Sequence, residues 1–155
     1  MIDLVPFSDR FLTDRYVSWL NDPETVKFSE QRHVRHTWGS CRDWLCADDR
    51  IVLAIMADGR HIGNVAADLD RPNRVADVSI LLGEERGKGH GKEAFGRFCA
   101  GMLVNMRLVT CGTMDCNVPM KRIAWAAGMW ELGRIRKRFL VDGREVDLVR
   151  YGRYA

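Results

Sequence analysis

The sequence predicts a mixed α/β domain in which a central, mostly antiparallel sheet is flanked by helices. Short apolar or alternating runs recur between turn signals such as Asp58-Gly59 and Asp142-Gly143, which is typical of hairpins. One strongly amphipathic stretch, residues 94–103, lies between two of these runs and predicts a single β-α-β unit. The length of 155 residues and a hydrophobic content of 46% fit one domain spanning residues 1–155.

The first half of the chain predicts a strand, several helices and then a meander. Residues 2–7 form the strand, and residues 8–20 carry apolar side chains at helical spacing up to the stop at Asn21-Asp22-Pro23. A short helix follows Asp22, and Thr37 begins another. The strands of the meander are expected at residues 51–56, 61–69 and 75–82.

The second half begins with a glycine-rich stretch and the amphipathic helix. A strand over residues 108–116 and a short helix over 119–127, which starts at a proline, are expected next. Two strands, 130–141 and 144–154, then form a closing hairpin.

Charge and cysteine content exclude several classes of function. The 24 Lys and Arg against 21 Asp and Glu give a net charge of +3, which is too small to predict a nucleic-acid partner. No apolar run approaches the ~20 residues of a membrane span. An odd count of five cysteines without a signal peptide predicts free thiols and a cytoplasmic location. No histidine follows the cysteines at zinc-finger spacing, so no metal is expected.

The segment Arg86–Lys92 carries three glycines between a predicted strand and a predicted helix. Glycines let backbone N–H groups converge, and a helix N-terminus adds partial positive charge, so the segment is expected to bind an anion. A Walker-type loop is excluded because Arg86 and Glu93 stand where Gly and Ser or Thr are needed. Residues 89–94 satisfy the dinucleotide pattern G-x-G-x-x-A, but residues 83–88 intervene after the strand, and the chain closes with a hairpin where that fold needs further β-α units.

A third pattern, R/Q-x-x-G-x-G/A, is matched by Arg86, Gly89 and Gly91, and here the sequence resembles the GNAT superfamily of acetyl-CoA-dependent N-acetyltransferases. The resemblance covers nearly the whole chain and includes Asn117–Met129, which is similar to the second signature of the family. It implies a GNAT-like fold of about six to seven strands and about four helices. The ending, with Asp142-Gly143, Asp147 and Tyr151, resembles the branch that includes ribosomal-protein N-acetyltransferases.

The resemblance implies that acetyl-CoA is the acyl donor and that the glycine loop binds its pyrophosphate through backbone N–H groups. The preceding strand would pair with the peptide-like pantetheine arm. Asn117 would bond the same arm or cap the next helix, and Lys121 or Arg122 would reach the ribose phosphate or lie in solvent. The residues implied are Ile80, Leu81, Leu82, Arg86, Gly87, Lys88, Gly89, His90, Gly91, Lys92, Asn117 and Arg122.

The reaction is attack of an amine on a thioester, so a group must remove a proton. Asp77 and Ser79 alternate with apolar residues on a strand expected to be buried, and Asp77 is the candidate base, directly or through water. Many family members place a tyrosine acid where this chain has Ala124. Either the thiolate leaves unaided, or Tyr154 or Cys116 supplies the proton; a cofactor-binding module without turnover is the alternative.

The amine acceptor is predicted from the N-terminal region. Residues 19–24 and the basic stretch after them resemble acetyltransferases of bacterial surface-sugar pathways such as the pseudaminic acid route, which act on nucleotide-linked amino sugars. Cationic side chains suit such an anionic acceptor. A protein N-terminal acetyltransferase and an ordinary solvated loop are the alternatives, and the sequence leaves open whether the domain forms a homodimer. The candidate acceptor residues are Arg32, His33, Arg35 and His36.

Overall fold

A computed structural model describes all of residues 1–155. The chain forms five α-helices and seven strands, and two short 3-10 helices cover Asp9–Phe11 and Glu30–His33. The strands are β1 Ile2–Pro6, β2 Arg50–Ala57, β3 Arg60–Asp70, β4 Val75–Leu82, β5 Leu108–Met114, β6 Trp130–Val141 and β7 Arg144–Tyr154. The helices are α1 Asp14–Asn21, α2 Pro23–Val26, α3 Trp38–Leu45, α4 His90–Met102 and α5 Val118–Ala126.

All seven strands belong to one sheet with the order β1-β2-β3-β4-β5-β7-β6. Every neighbouring pair is antiparallel except β4 and β5, which are parallel because α4 carries the chain back across the sheet. The predicted mixed α/β class with a mostly antiparallel sheet of six to seven strands is confirmed, with five helices in place of about four.

The two faces of the sheet carry different layers. One face packs against α4 and α5 and forms the main core, which includes Phe95, Phe98 and Val109. The other face packs against α1 and α3 through a smaller core that includes Tyr16 and Trp19. No helix combines the length and the apolar character needed to cross a membrane.

Three element boundaries differ from the sequence expectation by two or more residues. Helix α1 begins only at Asp14, because the Thr13 side chain accepts a hydrogen bond from the Tyr16 N–H at 3.2 Å and so caps the helix there. Helix α4 begins at His90, four residues before the expected start, because Gly89 adopts a positive φ and ends the loop. Strand β5 ends at Met114, ahead of the expected residue 116.

Candidate active site

Strands β4 and β5 separate along their length and open a cleft. They pair only from Val75 to Asp77 on β4, whereas β4 continues to Leu82 with β3 as its sole partner. Apart from the Leu82 carbonyl, which accepts from Arg86 Nε, the backbone groups on the β5 side of residues 78–82 are therefore free to pair with a ligand. The cleft has a volume of about 1120 Å³ and extends from this gap to the α1–α3 layer.

The glycine loop follows directly on the unpaired end of β4. No backbone N–H from Glu85 to Lys92 donates a hydrogen bond within the protein. Gly87 and Gly89 have φ of 80° and 87°, a conformation that other residues rarely adopt. Because these free N–H groups precede the 13-residue helix α4, its N-terminus adds partial positive charge, and the loop fits a pyrophosphate.

Gly91 permits close packing of α4 on the strand that leads into the loop. A Cβ at this position would lie 2.7 Å from Leu82 Cδ1 and 3.3 Å from Ile123 Cδ1. The glycine therefore brings the first turn of α4 against both β4 and α5, which fixes the loop beside the cleft.

The side chains of the loop mainly serve the protein itself. Arg86 donates from Nε to the Leu82 carbonyl at 3.0 Å and from Nη2 to the Thr25 hydroxyl, so it connects the end of β4 to α2. Lys88 forms an ion pair with Glu85. His90 is half-buried at the start of α4, and the exposed Lys92 borders the cleft. Binding of an anion here thus depends on the backbone more than on cations.

Two residues on the α5 side complete the candidate cofactor site. Asn117 caps α5, because its Oδ1 accepts from the Met120 N–H at 3.2 Å, while its Nδ2 donates to no protein atom. Lys121 is held by Asp115 at 2.9 Å. Arg122 borders the cleft, is exposed and has no ion-pair partner, so on the α5 side it is available to a phosphate, as Lys92 is on the α4 side.

Asp77 lies at the last residue pair before β4 and β5 separate. Its Oδ1 accepts from Thr110 Oγ1 at 2.7 Å and from Arg150 Nη2 at 2.8 Å, whereas its Oδ2 accepts nothing. The expectation of a buried strand position is wrong for this side chain, which is 49% exposed because the α1–α3 layer does not cover this part of the sheet. Ser79, two residues further along, is also exposed and borders the cleft.

None of the expected acids reaches the cleft. Tyr154 pairs with Leu108 at the start of β5, the opposite end of that strand from the gap, and its ring lies 6.1 Å from that of Trp130. Cys116 does not border the cleft, and Ala124 is fully buried in the main core. Tyr16 is the only tyrosine along the cleft, and burial raises its pKa.

The four candidate acceptor residues do not act as one cluster. His36 borders the main cleft, whereas the other three line a second cavity of about 510 Å³. Arg32 donates from Nη1 to the Ser29 carbonyl and from Nη2 to the Leu140 carbonyl, both at 3.0 Å. His33 contacts Glu30 at 3.2 Å. Only Arg35 is exposed without a partner.

The acceptor side of the cleft was not predicted from the sequence. Its walls include Phe28, Trp44 and Phe139, which come from three separate segments. Its floor is formed on β3 by Asn64 and Asp68, which share one face of the strand. The period-two spacing of these polar residues within an apolar strand was the available signal.

Comparison with known proteins places the chain in a family. Residues 2–130 match the model of the acetyltransferase (GNAT) domain, so the chain belongs to the GNAT acetyltransferase family. The resemblance inferred from the glycine loop is thereby confirmed, and the chain is an acetyl-CoA-dependent N-acetyltransferase. No curated protein sequence matches the chain.

Solved structures share the fold across almost the whole chain. The Vibrio cholerae spermidine N-acetyltransferase, in complex with CoA and spermine, superposes with a TM-score of 0.85 at 16% identity, covering 99% of this chain and 95% of that chain. The microcin C7 self-immunity acetyltransferase, with acetyl-CoA and AMP, gives 0.83 at 15% identity over 99% and 92%. A Brucella melitensis ribosomal-protein-alanine N-acetyltransferase gives 0.82 at 17% identity over 100% and 99%.

Proposed function

We propose that this chain transfers the acetyl group of acetyl-CoA to the primary amine of a small molecule. The observation that carries the proposal is the unpaired edge of β4 from Val78 to Leu82, which leads directly into the free N–H groups of residues 85–92. The pantetheine arm of acetyl-CoA carries peptide-like amides that match the β4 edge. The pyrophosphate at the end of this arm matches the free N–H groups of the loop. The spermidine acetyltransferase of the same fold, in complex with CoA and spermine, supports a small amine acceptor.

The cofactor side of the site divides into three binding functions. Residues 78–82 pair with the amides of the arm, and the loop backbone binds the pyrophosphate. The free Nδ2 of Asn117 donates to the arm from the opposite side of the gap, and Arg122 binds a phosphate. Bound acetyl-CoA supplies the thioester carbonyl that the amine attacks.

Asp77 is the group we assign to proton removal. It stands where the two strands diverge, next to the cleft residues Val78 and Ser79 but not itself on the cleft wall, so its free Oδ2 would accept the proton of the amine through a water. Ser79 lies on the same face of β4 and can hold such a water. No tyrosine from α5 is available, so the thiolate leaves without a protein acid; a thiol, with a pKa of about 8.5, is a fair leaving group.

The acceptor side favours a compact molecule with a polar extension. Phe28 and Phe139 line the cleft, and Phe28 and Val34 also line the second cavity. We infer a nucleotide-linked amino sugar as the acceptor, with Arg35 binding its phosphate in that cavity. Arg32 is not part of this proposal, because both of its terminal nitrogens already donate to backbone carbonyls.

The proposal is tested by thiol release from acetyl-CoA with three kinds of amine. The panel contains a nucleotide-linked amino sugar, spermidine and a peptide with a free N-terminus. Turnover of the first two classes but not of the peptide is expected, and Arg35→Ala should raise the Michaelis constant for the nucleotide sugar alone. Preferential acetylation of the peptide would favour a protein N-terminal acetyltransferase. Tight CoA binding without thiol release would leave a non-catalytic binding module.

A further inference from the structure

Asn64 on β3 is a buried carboxamide with no partner in the protein. Its side chain is only 3% exposed, and its Oδ1 is one of three fully buried side-chain polar atoms that lack a hydrogen bond. Its Nδ2 donates to no protein atom either, but only Oδ1 is both fully buried and without a partner. Leaving such groups unsatisfied costs free energy, typically about 1–3 kcal/mol each. The residue borders the active-site cleft, so a bound molecule can supply the missing partner.

The strand register places Asn64 beside the reacting region. Asn64 faces Leu81 on β4, and Ala66 faces Ser79, so Asn64 and Ser79 are diagonal neighbours on the same face of the sheet. Diagonal neighbours are roughly 7–8 Å apart, with their Cβ atoms somewhat closer, so one amine nitrogen can reach both side chains.

We propose that Asn64 binds and orients the amine of the acceptor. The carboxamide oxygen accepts an N–H of the amine, which turns the nitrogen lone pair toward the gap between β4 and β5. Rotation of the carboxamide about its terminal torsion brings the oxygen to the cleft and breaks no bond, because neither end is bonded in the protein. This inference rests on the proposed acetyl transfer to an amine.

A role in substrate binding and a role in folding predict opposite changes in stability. In Asn64→Leu the unsatisfied amide is removed, so the melting temperature is expected to stay equal or rise. Asn21→Leu is the matched control, because the Asn21 carboxamide donates to the His36 carbonyl at 2.9 Å and accepts from its N–H at 2.7 Å. The melting temperature of this control is expected to fall.

Kinetics with spermidine and with the nucleotide-linked amino sugar complete the test. We expect kcat/KM of Asn64→Leu for the better of the two amines to fall roughly tenfold to a hundredfold, as for one lost hydrogen bond to a polar or charged group, while CoA affinity is unchanged. A lowered melting temperature of Asn64→Leu overturns the role of Asn64 but not the proposed function. Native kinetics of Asn64→Leu, when the native chain is active, do the same. If the native chain releases no thiol with any amine, the proposed function fails first, and the role of Asn64 falls with it.

Discussion

Asp77 is the single residue on which the proposed chemistry depends most. Asp77→Asn keeps the size of the side chain and the acceptor atom used by Thr110 and Arg150, but it removes the basic oxygen. Turnover is therefore expected to fall about 10²-fold or more, the usual scale for a lost general base, while CoA affinity stays the same.

The measurement is the steady-state rate of thiol release together with calorimetric titration of CoA. Asp70→Asn is a suitable control, because Asp70 lies at the end of β3 and bonds only to the Asn73 turn. Native turnover in Asp77→Asn across the pH range would transfer proton removal to water or to another residue.

His61 predicts an acid-sensitive contribution to stability. Burial lowers the pKa of this imidazole from its usual 6.5 to about 4, with aromatic rings such as those of Phe11 and Trp19 at 4.8 and 5.1 Å. Between these two values the unfolded chain binds a proton that the folded chain excludes. The free energy of unfolding should therefore decrease as the pH falls from about 6.5 to 4.

Urea unfolding at a series of pH values measures this effect. His61→Phe keeps an aromatic ring in the cluster and removes the titrating group, so the decrease in that pH window should become smaller. An identical pH dependence in the variant and the native protein would assign the acid sensitivity to other groups.

The loop between β4 and α4 is the element whose conformation determines cofactor binding. In Gly89→Val the valine would have to adopt a backbone φ of 87°, which is strained for a β-branched residue. Its side chain would project into open space beside the free N–H groups. CoA binding is expected to be lost, because the valine displaces the loop and occupies space that the phosphates need. Calorimetric titration of CoA measures the loss.

Gly59→Val separates this local effect from general strain. Gly59 has a φ of 78° and no atoms within 4 Å of an added Cβ, so the backbone penalty is similar, but it lies in the β2–β3 turn. A comparable decrease in stability with native CoA affinity is expected for this control. Equal affinity for CoA in both variants would contradict the assignment of the loop.

The elements of this fold were predictable because each has a local signal. Turn residues such as Asp58-Gly59 marked the hairpins, and the spacing of Phe95 and Phe98 marked α4. The separation of β4 from β5 was not predictable from local pattern, because it depends on which strands are neighbours and how long they pair. The glycines of residues 86–92 predicted the anion-binding part of the cofactor site, whereas the family resemblance alone indicated the part along β4 that this separation creates.

The functional roles of single polar residues were less predictable than the elements. Arg32 looked available for an anion, yet one of its partners, Leu140, is 108 residues away in the sequence. Asn64 was missed for the opposite reason: its importance lies in the absence of a partner, and only the packed structure shows that. Whether a distant segment supplies a hydrogen-bond partner to a side chain, or fails to supply one, has no local sequence signal.

At the scale of the whole molecule, Arg32 connects the N-terminal helices to the closing hairpin. Its side chain is 16% exposed and donates to the Ser29 carbonyl before Glu30–His33 and to the Leu140 carbonyl in β6. These two segments carry Phe28 and Phe139, the aromatic walls of the acceptor side. Arg32 is therefore expected to set the width of the acceptor site without touching the acceptor.

Arg32→Ala and Arg35→Ala distinguish a structural connection from binding of an anion. Loss of Arg32 removes charge-assisted hydrogen bonds, so the free energy of unfolding should fall by about 1.5–3 kcal/mol. The Michaelis constant should rise for neutral and anionic amines alike, because both walls move apart. Loss of the exposed Arg35 should leave stability unchanged and weaken only an anionic acceptor, in a manner that added salt reduces. If Arg32→Ala instead weakened only the anionic amine and kept native stability, Arg32 would release its carbonyl contacts to bind the acceptor.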